Sequence, residues 1–203
     1  MTARTLSAKT VAPGDFPKGD LWIFGYGSLI WRPGFDYLEA RVAKLIGEHR
    51  ALCIYSFVHR GTPEKPGLVL GLDRGGACQG MAYRVAESKR DEIIDYLRAR
   101  EQVTSVYREV LRSVWLEGDA RERVSAVAYV ADRGHEQYAG RLSLTEQLHL
   151  VRGGHGSSGA NDEYVIETVA ALEAMKIRDS QLHQLAAMLR GDVTPKRRAA
   201  TRS

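Results

Sequence analysis

The order of strand-like and helix-like segments limits the fold of this chain more than any other feature of its sequence. Short apolar runs with strand character fill most of the stretch 21–131, one amphipathic segment interrupts them, and helix-like segments continue to residue 190. Segregated strands and helices are typical of α+β proteins, whereas alternating ones are typical of α/β proteins. The sequence therefore predicts an α+β fold, with a small, mixed, barrel-like sheet and surrounding helices.

The predicted strands are apolar runs that end at turn residues. Leu21–Phe24 is closed by Gly25, and Ala51–Val58 is a second apolar run. Turn residues between the remaining runs predict two hairpins. These consist of Leu68–Leu72 and Gly80–Val85 around Asp73–Gly76, and of Tyr107–Leu116 and Val124–Ala131 around Glu117–Asp119.

The predicted helices have apolar residues at helical spacing. In Glu87–Glu101, the residues Ile93, Ile94 and Leu97 recur among charged ones, as on the buried face of an amphipathic helix. Three further helices are expected towards the C-terminus. They are a short helix around Thr145–Arg152, one with Asn161 as its N-cap, and one over about Asp179–Arg190.

Length and composition fit one globular domain. The chain has 203 residues, of which 44% are hydrophobic and 27% charged, enough to bury a sizeable core. Residues 1–19 contain Pro and Gly without an apolar pattern and are expected to form a flexible leader. We expect a single folded domain over 20–191 and a basic, disordered tail over 192–203.

The net charge of +4 does not indicate nucleic-acid binding. Residues 1–20 have three basic side chains against two acidic ones, and residues 191–203 have four against one. The part between is close to neutral and lacks the basic stripe of a nucleic-acid-binding domain. We therefore expect a small-molecule partner and no nucleic acid; an RNA-binding alternative would depend on the basic tail alone.

Cysteine usage and hydropathy predict a cytoplasmic protein without a membrane partner. Cys53 and Cys78 are far apart and form no CxxC pair, so neither a disulfide framework nor a zinc site is indicated. No apolar run reaches the roughly 20 residues that span a bilayer. Met1–Val11 lacks acidic residues, as transit peptides do, but a disordered leader is the simpler expectation.

The segment Gly25-Tyr26-Gly27-Ser28-Leu29 is the first candidate for a functional site. Glycines allow a sharp turn that directs backbone N–H groups into a concavity, where a carboxylate or an oxyanion can bind, and Ser28 adds a hydroxyl. A dinucleotide-binding GxGxxG motif is excluded because Ile30 occupies the last glycine position. Taken alone, the segment is still more typical of an ordinary glycine turn.

Glu101 is the second candidate. At 100° per residue it lies about 20° from Ile94 and about 40° from Leu97, on the apolar face near the C-terminal end of the predicted helix. Partial burial and the negative end of the helix dipole both disfavour the ionised form, so we expect a raised pKa, suited to acid/base catalysis. The alternative is that Glu101 caps the helix or pairs with Arg98 or Arg108.

Other polar segments indicate a function less clearly. His59-Arg60-Gly61 either lines a pocket or orders the loop that follows it. Gly153–Gly159 matches neither the GK[ST] ending of a P-loop nor the GxSxG elbow, and is either a flexible active-site wall leading towards Tyr164 or a plain linker. The six histidines show no paired metal-ligand spacing, so we expect no metal and no cofactor.

Five segments, taken in their order, resemble those of the ChaC-like γ-glutamylcyclotransferases, in particular the glutathione-specific type. The resemblance covers roughly residues 21–190, and an ordered set is far more specific than a lone glycine motif. The segments are Trp22–Trp31; His59–Gly61 with Lys65–Gly67; Gly80–Arg84; Tyr96–Leu97 with Arg100–Glu101 and Tyr107–Arg108; and Gly156–Asn161 with Glu163–Tyr164.

This resemblance implies a cofactor-free enzyme that cleaves glutathione by internal cyclisation to 5-oxoproline and Cys-Gly. It implies that Glu101 is the catalytic acid/base, and Tyr164 is a further candidate for a substrate hydrogen bond. Unlike many relatives, the chain has no glycine in Gln102–Val106, directly after Glu101. The substrate loop that the resemblance implies consists of Ile23, Phe24, Gly25, Tyr26, Gly27 and Ser28.

Two alternatives to glutathione cleavage stay open at this point. One is a cyclotransferase for other γ-glutamyl amino acids or γ-glutamylamines. The other is a non-catalytic regulator that binds γ-glutamyl compounds. The presence of Glu101 argues against the regulator, because a pure binding protein does not need a partly buried carboxylate at this position.

Overall fold

The computed structural model describes residues 10–101, 105–118 and 122–192, with Glu101 by its backbone only. The chain divides into two compact units. The first unit consists of Met1–Ile54 and Val69–Gly140, and the second of Tyr55–Leu68 and Arg141–Ser203. The predicted substrate loop and Glu101 therefore belong to the first unit, and Tyr164 to the second.

Five strands in the described residues form a closed barrel. They are β1 (Leu21–Gly25), β2 (Glu39–Ser56), β3 (Gly67–Val85), β4 (Tyr107–Leu116) and β5 (Glu122–Ala131). Their order is β1-β3-β2-β4-β5, closed by β5 alongside β1 and β3. The sheet is mixed, because β1 is antiparallel to β3 and parallel to β5. The predicted α+β fold with a small barrel-like sheet is confirmed.

The hairpin of β4 and β5 is confirmed and runs in register from Tyr107 opposite Ala131 to Leu116 opposite Glu122. Successive side chains of a strand point to opposite faces of the sheet. On β4, Tyr107 and Glu109 are buried, whereas Arg108 between them is only half-buried. The strand thus presents a buried carboxylate on one face and a guanidinium on the other.

The hairpin predicted at Asp73–Gly76 is wrong, because the runs on either side of it belong to one strand, β3. Gly75 and Gly76 have positive φ angles of 96° and 69°. Such angles bend the backbone within a strand, as in a bulge. The strand stays attached to β2 there, since Nδ1 of His49 lies 3.0 Å from the carbonyl oxygen of Gly75. The turn residues mark a bend instead of a chain reversal.

The amphipathic helix predicted over Glu87–Glu101 is confirmed, as a 3₁₀ turn that leads into α1 (Arg90–Glu101). Its apolar residues Ile93, Ile94 and Leu97 are 4%, 3% and 0% exposed. Burying large aliphatic side chains is the main favourable contribution to folding. They belong to one core cluster together with Leu21, Ile23, Ile54, Val127 and Tyr129.

Three helices of the second unit pack against one another: α2 (Leu144–Gly153), α3 (Asn161–Ala174) and α4 (Ser180–Arg190). Ser143 and Glu146 form a reciprocal capping box at the start of α2. A short pair of strands, β6 (His155–Gly156) and β7 (Gly159–Ala160), separates α2 from α3. The three predicted C-terminal helices are confirmed.

Asn161 was predicted as the N-cap of α3, and this is wrong. The N-cap is Ala160, and Asn161 is the first helical residue. Its fully buried side-chain amide donates to the carbonyl oxygen of Leu68 at 2.7 Å and accepts from the Leu68 N–H at 2.6 Å. Buried backbone groups need partners, so the amide is used for the start of β3 and not for the helix.

Residues 10–19, the described part of the predicted leader, bond to α1 and β4. The Val11 N–H donates to Glu109 at 3.0 Å, and the Val11 carbonyl accepts from Arg98 at 3.0 Å. The Pro17 carbonyl accepts from Arg90 at 2.9 Å. Residues 1–9 and, in the predicted tail, 193–203 lie outside the described part of the chain.

Candidate active site

The predicted substrate loop follows β1, whose last residues are fixed in the barrel. Ile23 and Phe24 are fully buried, and their backbones are paired with Tyr83 and Ala82 of β3. The side chains of these two residues therefore belong to the core. Within the predicted loop, groups that could meet a substrate are confined to the turn that follows, from Gly25 to Ser28.

Gly25 permits a close approach between the strand end and the next turn of chain. A Cβ atom there would lie 3.0 Å from Cβ of Leu29 and 3.3 Å from the Tyr83 ring. Neither Gly25 nor Gly27 has a positive φ. The glycine at position 25 is thus explained by packing, and not by the left-handed backbone of a typical anion nest.

The backbone N–H groups of Gly27 and Ser28 have no acceptor within the residues that the structure describes. Gly27 is the N-cap of a 3₁₀ turn, Ser28–Ile30. The first N–H groups of a helical turn have no partner inside the turn, and they attract negative charge. This part of the loop can therefore bind a carboxylate or a developing oxyanion.

Arg100, the residue before Glu101, clamps this loop to α1. One guanidinium nitrogen donates to Oγ of Ser28 at 2.9 Å. The other donates to the carbonyl oxygens of Arg32 and Pro33 at 2.6 and 3.1 Å, and to the Tyr96 hydroxyl at 3.0 Å. A planar guanidinium can bind several acceptors in one fixed geometry. The end of α1 is thereby fixed relative to the predicted substrate loop.

Tyr83, which lies on β3, binds the 3₁₀ turn at the end of the predicted substrate loop. Its hydroxyl lies 2.9 Å from the Leu29 carbonyl oxygen and 3.0 Å from that of Ile30. Burial, with a smaller contribution from the neighbouring Tyr37, raises the pKa of Tyr83 above its ordinary value. The hydroxyl therefore stays protonated and donates to these carbonyls.

Glu101 ends α1, with its side chain outside the described part. The residues that defined its predicted face, Ile94 and Leu97, are buried. Arg98, one of its two suggested partners, binds Glu109, with two hydrogen bonds of 3.0 and 2.7 Å. The raised pKa of Glu101 stays a prediction.

A buried polar network connects α1 with the predicted substrate loop. The Glu109 side chain is fully buried and also accepts from the Tyr129 hydroxyl at 3.0 Å. The carbonyl oxygen of Tyr129 accepts in turn from the Tyr26 hydroxyl at 2.8 Å. The pKa of Arg98 is raised, chiefly by its hydrogen bonds to Glu109, so the guanidinium keeps its charge. Both predicted site segments are thus attached to one network.

Tyr164 lies on α3 in the second unit and is 6% exposed. The Arg60 guanidinium lies over its ring, 5.3 Å from the centroid, and donates to the Ala160 carbonyl at 2.9 Å. Such a cation–π contact fixes both side chains. The substrate hydrogen bond suggested for Tyr164 stays a prediction.

The glycine cluster before α3 is bonded along its length to the segment that follows β2. The N–H groups of Ser157 and Ser158 donate to the carbonyls of Val58 and His59 at 2.8 and 2.9 Å. Nδ1 of His59 lies 3.0 Å from Oγ of Ser158. These contacts attach the glycine cluster to the segment after β2, and the two roles considered for His59-Arg60-Gly61 stay predictions.

In the described ranges, no three His, Cys, Asp or Glu side chains lie close enough to hold a metal ion. The same residues include no helix that has both the length and the apolar character to cross a membrane. Cys53 and Cys78 are both buried, and neither forms a disulfide.

Comparison with known proteins identifies the family. The model of the family described as ChaC-like protein matches residues 21–192. This chain belongs to the ChaC-like family. The matched stretch includes the loop after β1, the Arg100 clamp, Glu101 and Tyr164.

Relatives of this ChaC-like chain occur in bacteria and animals. The Escherichia coli K12 glutathione-specific γ-glutamylcyclotransferase is 31% identical over 185 residues, which are 90% of this chain and 78% of that protein. The human glutathione-specific γ-glutamylcyclotransferase 1 is 34% identical over 75% of this chain and 72% of its own length. The fold matches the crystal structure of the yeast γ-glutamylcyclotransferase specific to glutathione, with a TM-score of 0.79 over 86% of this chain and 97% of that one, at 23% identity.

Sequence reasoning missed the residues that hold the ChaC-like site together. In the sequence, Arg100 and Tyr83 stand out only as parts of segments that resemble the family, and Glu109 does not stand out. One signal for Glu109 was available, because period-two alternation puts it on the same strand face as Tyr107 and Leu111. An acidic residue on the apolar face of a strand predicts a buried, hydrogen-bonded carboxylate.

Proposed function

We propose that this protein is a γ-glutamylcyclotransferase that cleaves glutathione to 5-oxoproline and Cys-Gly, with Glu101 as the catalytic acid/base. The observation that carries the proposal is the Arg100 clamp. It joins the helix that ends at Glu101 to the loop in which Gly27 and Ser28 have available N–H groups. The names of the bacterial and human relatives support glutathione as the substrate.

The reaction needs little chemistry from the enzyme, because the substrate carries its own nucleophile. The α-amine nitrogen of the γ-glutamyl group attacks the γ-carbonyl carbon and closes a five-membered lactam, while the bond from that carbon to the cysteine nitrogen breaks. Aligned intramolecular reactions reach effective molarities of about 10⁵–10⁸ M. Holding the substrate folded is therefore the largest contribution to the rate.

Glu101 transfers the protons in the proposed reaction. Its carboxylate removes one proton from the α-ammonium, which makes the amine nucleophilic, and the resulting acid donates that proton to the departing cysteine nitrogen. The attacking nitrogen then gives up a second proton through the same carboxyl group, which leaves the lactam N–H, and Cys-Gly departs with both protons as an ammonium. One carboxyl group serves these steps, and no proton is gained or lost overall. A raised pKa favours this use, since a general acid/base works best with a pKa near the working pH.

The loop after β1 supplies fixed hydrogen-bond donors. The N–H groups of Gly27 and Ser28 bind the α-carboxylate of the substrate or the oxyanion that forms at the γ-carbonyl. Donors that are already fixed need no rearrangement as charge develops, and this is what makes an oxyanion hole effective. The proposal requires neither a metal nor a cofactor, and Tyr164 remains a candidate for one further substrate contact.

We place the reaction in the cytoplasm and assign it to residues 20–191 as one catalytic domain. Two buried thiols that form no disulfide support a reducing compartment, where disulfides are rare. The family match over 21–192 supports the domain assignment.

The test is to incubate the purified protein with glutathione in chelator-containing, cofactor-free buffer and to measure 5-oxoproline and Cys-Gly by mass spectrometry. Glu101→Gln should fold normally and lose about 10²–10⁴ in rate, the usual share of acid/base catalysis. Glu92→Gln is a matched control, because Glu92 lies on the same helix and is exposed, with Lys89 as its partner. Near-wild-type turnover by Glu101→Gln would remove Glu101 from the mechanism.

A further inference from the structure

A cleft rich in arginine lies on the barrel of the first unit. It encloses about 270 Å³, and none of its described lining residues belongs to the loop from Ile23 to Ser28. Among the described residues, the lining includes four arginines and two acidic residues. The arginines are Arg74, Arg108, Arg112 and Arg133, and the acidic residues are Glu48 and Asp132.

The strand register explains why these side chains converge. Arg108 on β4 lies opposite Val130 on β5, and Val130 also pairs with Leu72 on β3. Arg112 is four residues after Arg108, and hence on the same face of β4. The arginines are thus built around an apolar floor that includes Leu72 and Val130.

Two of the four arginines are held in place by carboxylates at the edge of the cleft. Nε of Arg112 donates to Glu48 at 2.7 Å, and Nε of Arg133 donates to Asp73 at 2.6 Å. An Arg side chain that is fixed through Nε can still present its terminal nitrogens to a ligand. These pairs therefore orient two guanidinium groups.

The other two arginines, Arg74 and Arg108, have no side-chain or carbonyl partner for their guanidinium groups among the described residues. Asp132, the acidic residue of the lining that does not pair with Arg112, accepts a hydrogen bond from the Gly134 N–H in its own turn. The lining carries four positive and two negative charges, and the Asp73 carboxylate paired with Arg133 adds a third negative charge at the edge, which leaves an excess of +1. That excess is local, because the body of the chain is close to neutral.

We propose that this cleft is a binding site for a compact phosphate-bearing anion, of the size of inorganic diphosphate. Guanidinium groups match phosphate oxygens with paired, charge-assisted hydrogen bonds. An apolar floor lowers the local dielectric constant, which strengthens the attraction between the arginines and the anion. Two oriented and two available guanidinium groups around one concavity provide more donors than a single phosphate can use, so a diphosphate fits better.

The experiment is isothermal titration of the full chain with inorganic diphosphate at low ionic strength. The wild-type protein should bind at one site, more weakly as salt is added. The double variant Arg74→Ala/Arg108→Ala should bind about tenfold more weakly or worse, because it loses charge-assisted hydrogen bonds. It should fold normally, since neither guanidinium has a partner to lose in the described structure, and circular dichroism checks this.

The matched control is Arg141→Ala/Arg178→Ala, which removes the same charge from exposed positions in the second unit. It should bind diphosphate as the wild type does. Equal weakening in both double variants would mean that only net charge matters and would overturn the proposal. Undiminished binding by Arg74→Ala/Arg108→Ala, or no wild-type binding up to about 10 mM diphosphate, where affinity is negligible, would overturn it too.

Discussion

Replacing Arg100 by lysine should slow turnover far more than it destabilises the protein. The guanidinium of Arg100 donates to Ser28, to two carbonyls of the loop and to Tyr96. A lysine keeps the positive charge but presents it as a compact ammonium group at the end of a flexible stem. It cannot reach the Ser28 hydroxyl and the loop carbonyls together, so the variant loses two or more of these hydrogen bonds.

The expected loss of stability is small. A hydrogen bond in a half-buried position has a net value of about 0.5–1.5 kcal/mol, and a new ammonium contact replaces part of the loss. A net cost of about 1 kcal/mol lowers the melting temperature by about 2–4 °C in a chain of this size. Against a typical total of about 5–15 kcal/mol, the variant stays essentially fully folded at 25 °C.

The expected loss of activity is larger, because the clamp fixes the loop relative to the end of α1. A misplacement of about 1 Å between reacting groups can cost about 10²-fold in rate. We therefore expect Arg100→Lys to reduce kcat/KM for 5-oxoproline release from glutathione by about 30- to 100-fold. Tyr96→Phe, which removes only one contact of the same guanidinium, should stay within about threefold of wild type. Arg100→Lys with more than a third of wild-type kcat/KM would refute the reasoning.

Two further predictions concern packing and reactivity. Gly156→Ala should destabilise the protein by about 1–3 kcal/mol in urea unfolding, because the added Cβ would lie 2.4 Å from the Val58 carbonyl oxygen. Gly153→Ala is the control and should be neutral or stabilising, because a Cβ at that position meets nothing within 4 Å. Equal effects of the two substitutions would contradict the packing argument. Burial, with a smaller contribution from Asp73, raises the pKa of the Cys53 thiol to about 12, so at pH 8 it should react with iodoacetamide only on unfolding, as mass spectrometry of native and urea-treated protein would show.

Local features of the fold could be predicted because they depend on neighbouring residues. The apolar spacing that predicts α1 and the turn residues Glu117–Asp119 that predict the hairpin of β4 and β5 are each found within about a dozen residues of sequence. A barrel-like sheet could be predicted, but the strand pairs that close it could not, since β1 pairs with β3 and β5, far away in the chain. The Asp73–Gly76 prediction failed for a related reason, because glycines permit both a turn and a bend, and the neighbouring β2 selects the bend.

Candidate residues of the site were easier to predict than their contacts. Glu101 and the loop from Gly25 to Ser28 carry distinctive residue types, and their order along the chain resembles that of a family. Asn161, by contrast, has the composition of a helix cap but satisfies the backbone of Leu68. A side chain with both a donor and an acceptor fits either role, and only the three-dimensional neighbours decide between them.

The buried network around Glu109 contributes position more than stability. Removing a carboxylate and a guanidinium from water costs free energy that their attraction often only balances, so an apolar replacement could be equally stable. An apolar pair, however, would lack direction, whereas Glu109 accepts from Arg98, Tyr129 and Val11 along fixed bond geometries. Arg98 lies three residues before Glu101, and the carbonyl of Tyr129 holds Tyr26 of the substrate loop. The network and the Arg100 clamp thus fix the same two segments from different sides, as a reaction that depends on substrate positioning requires.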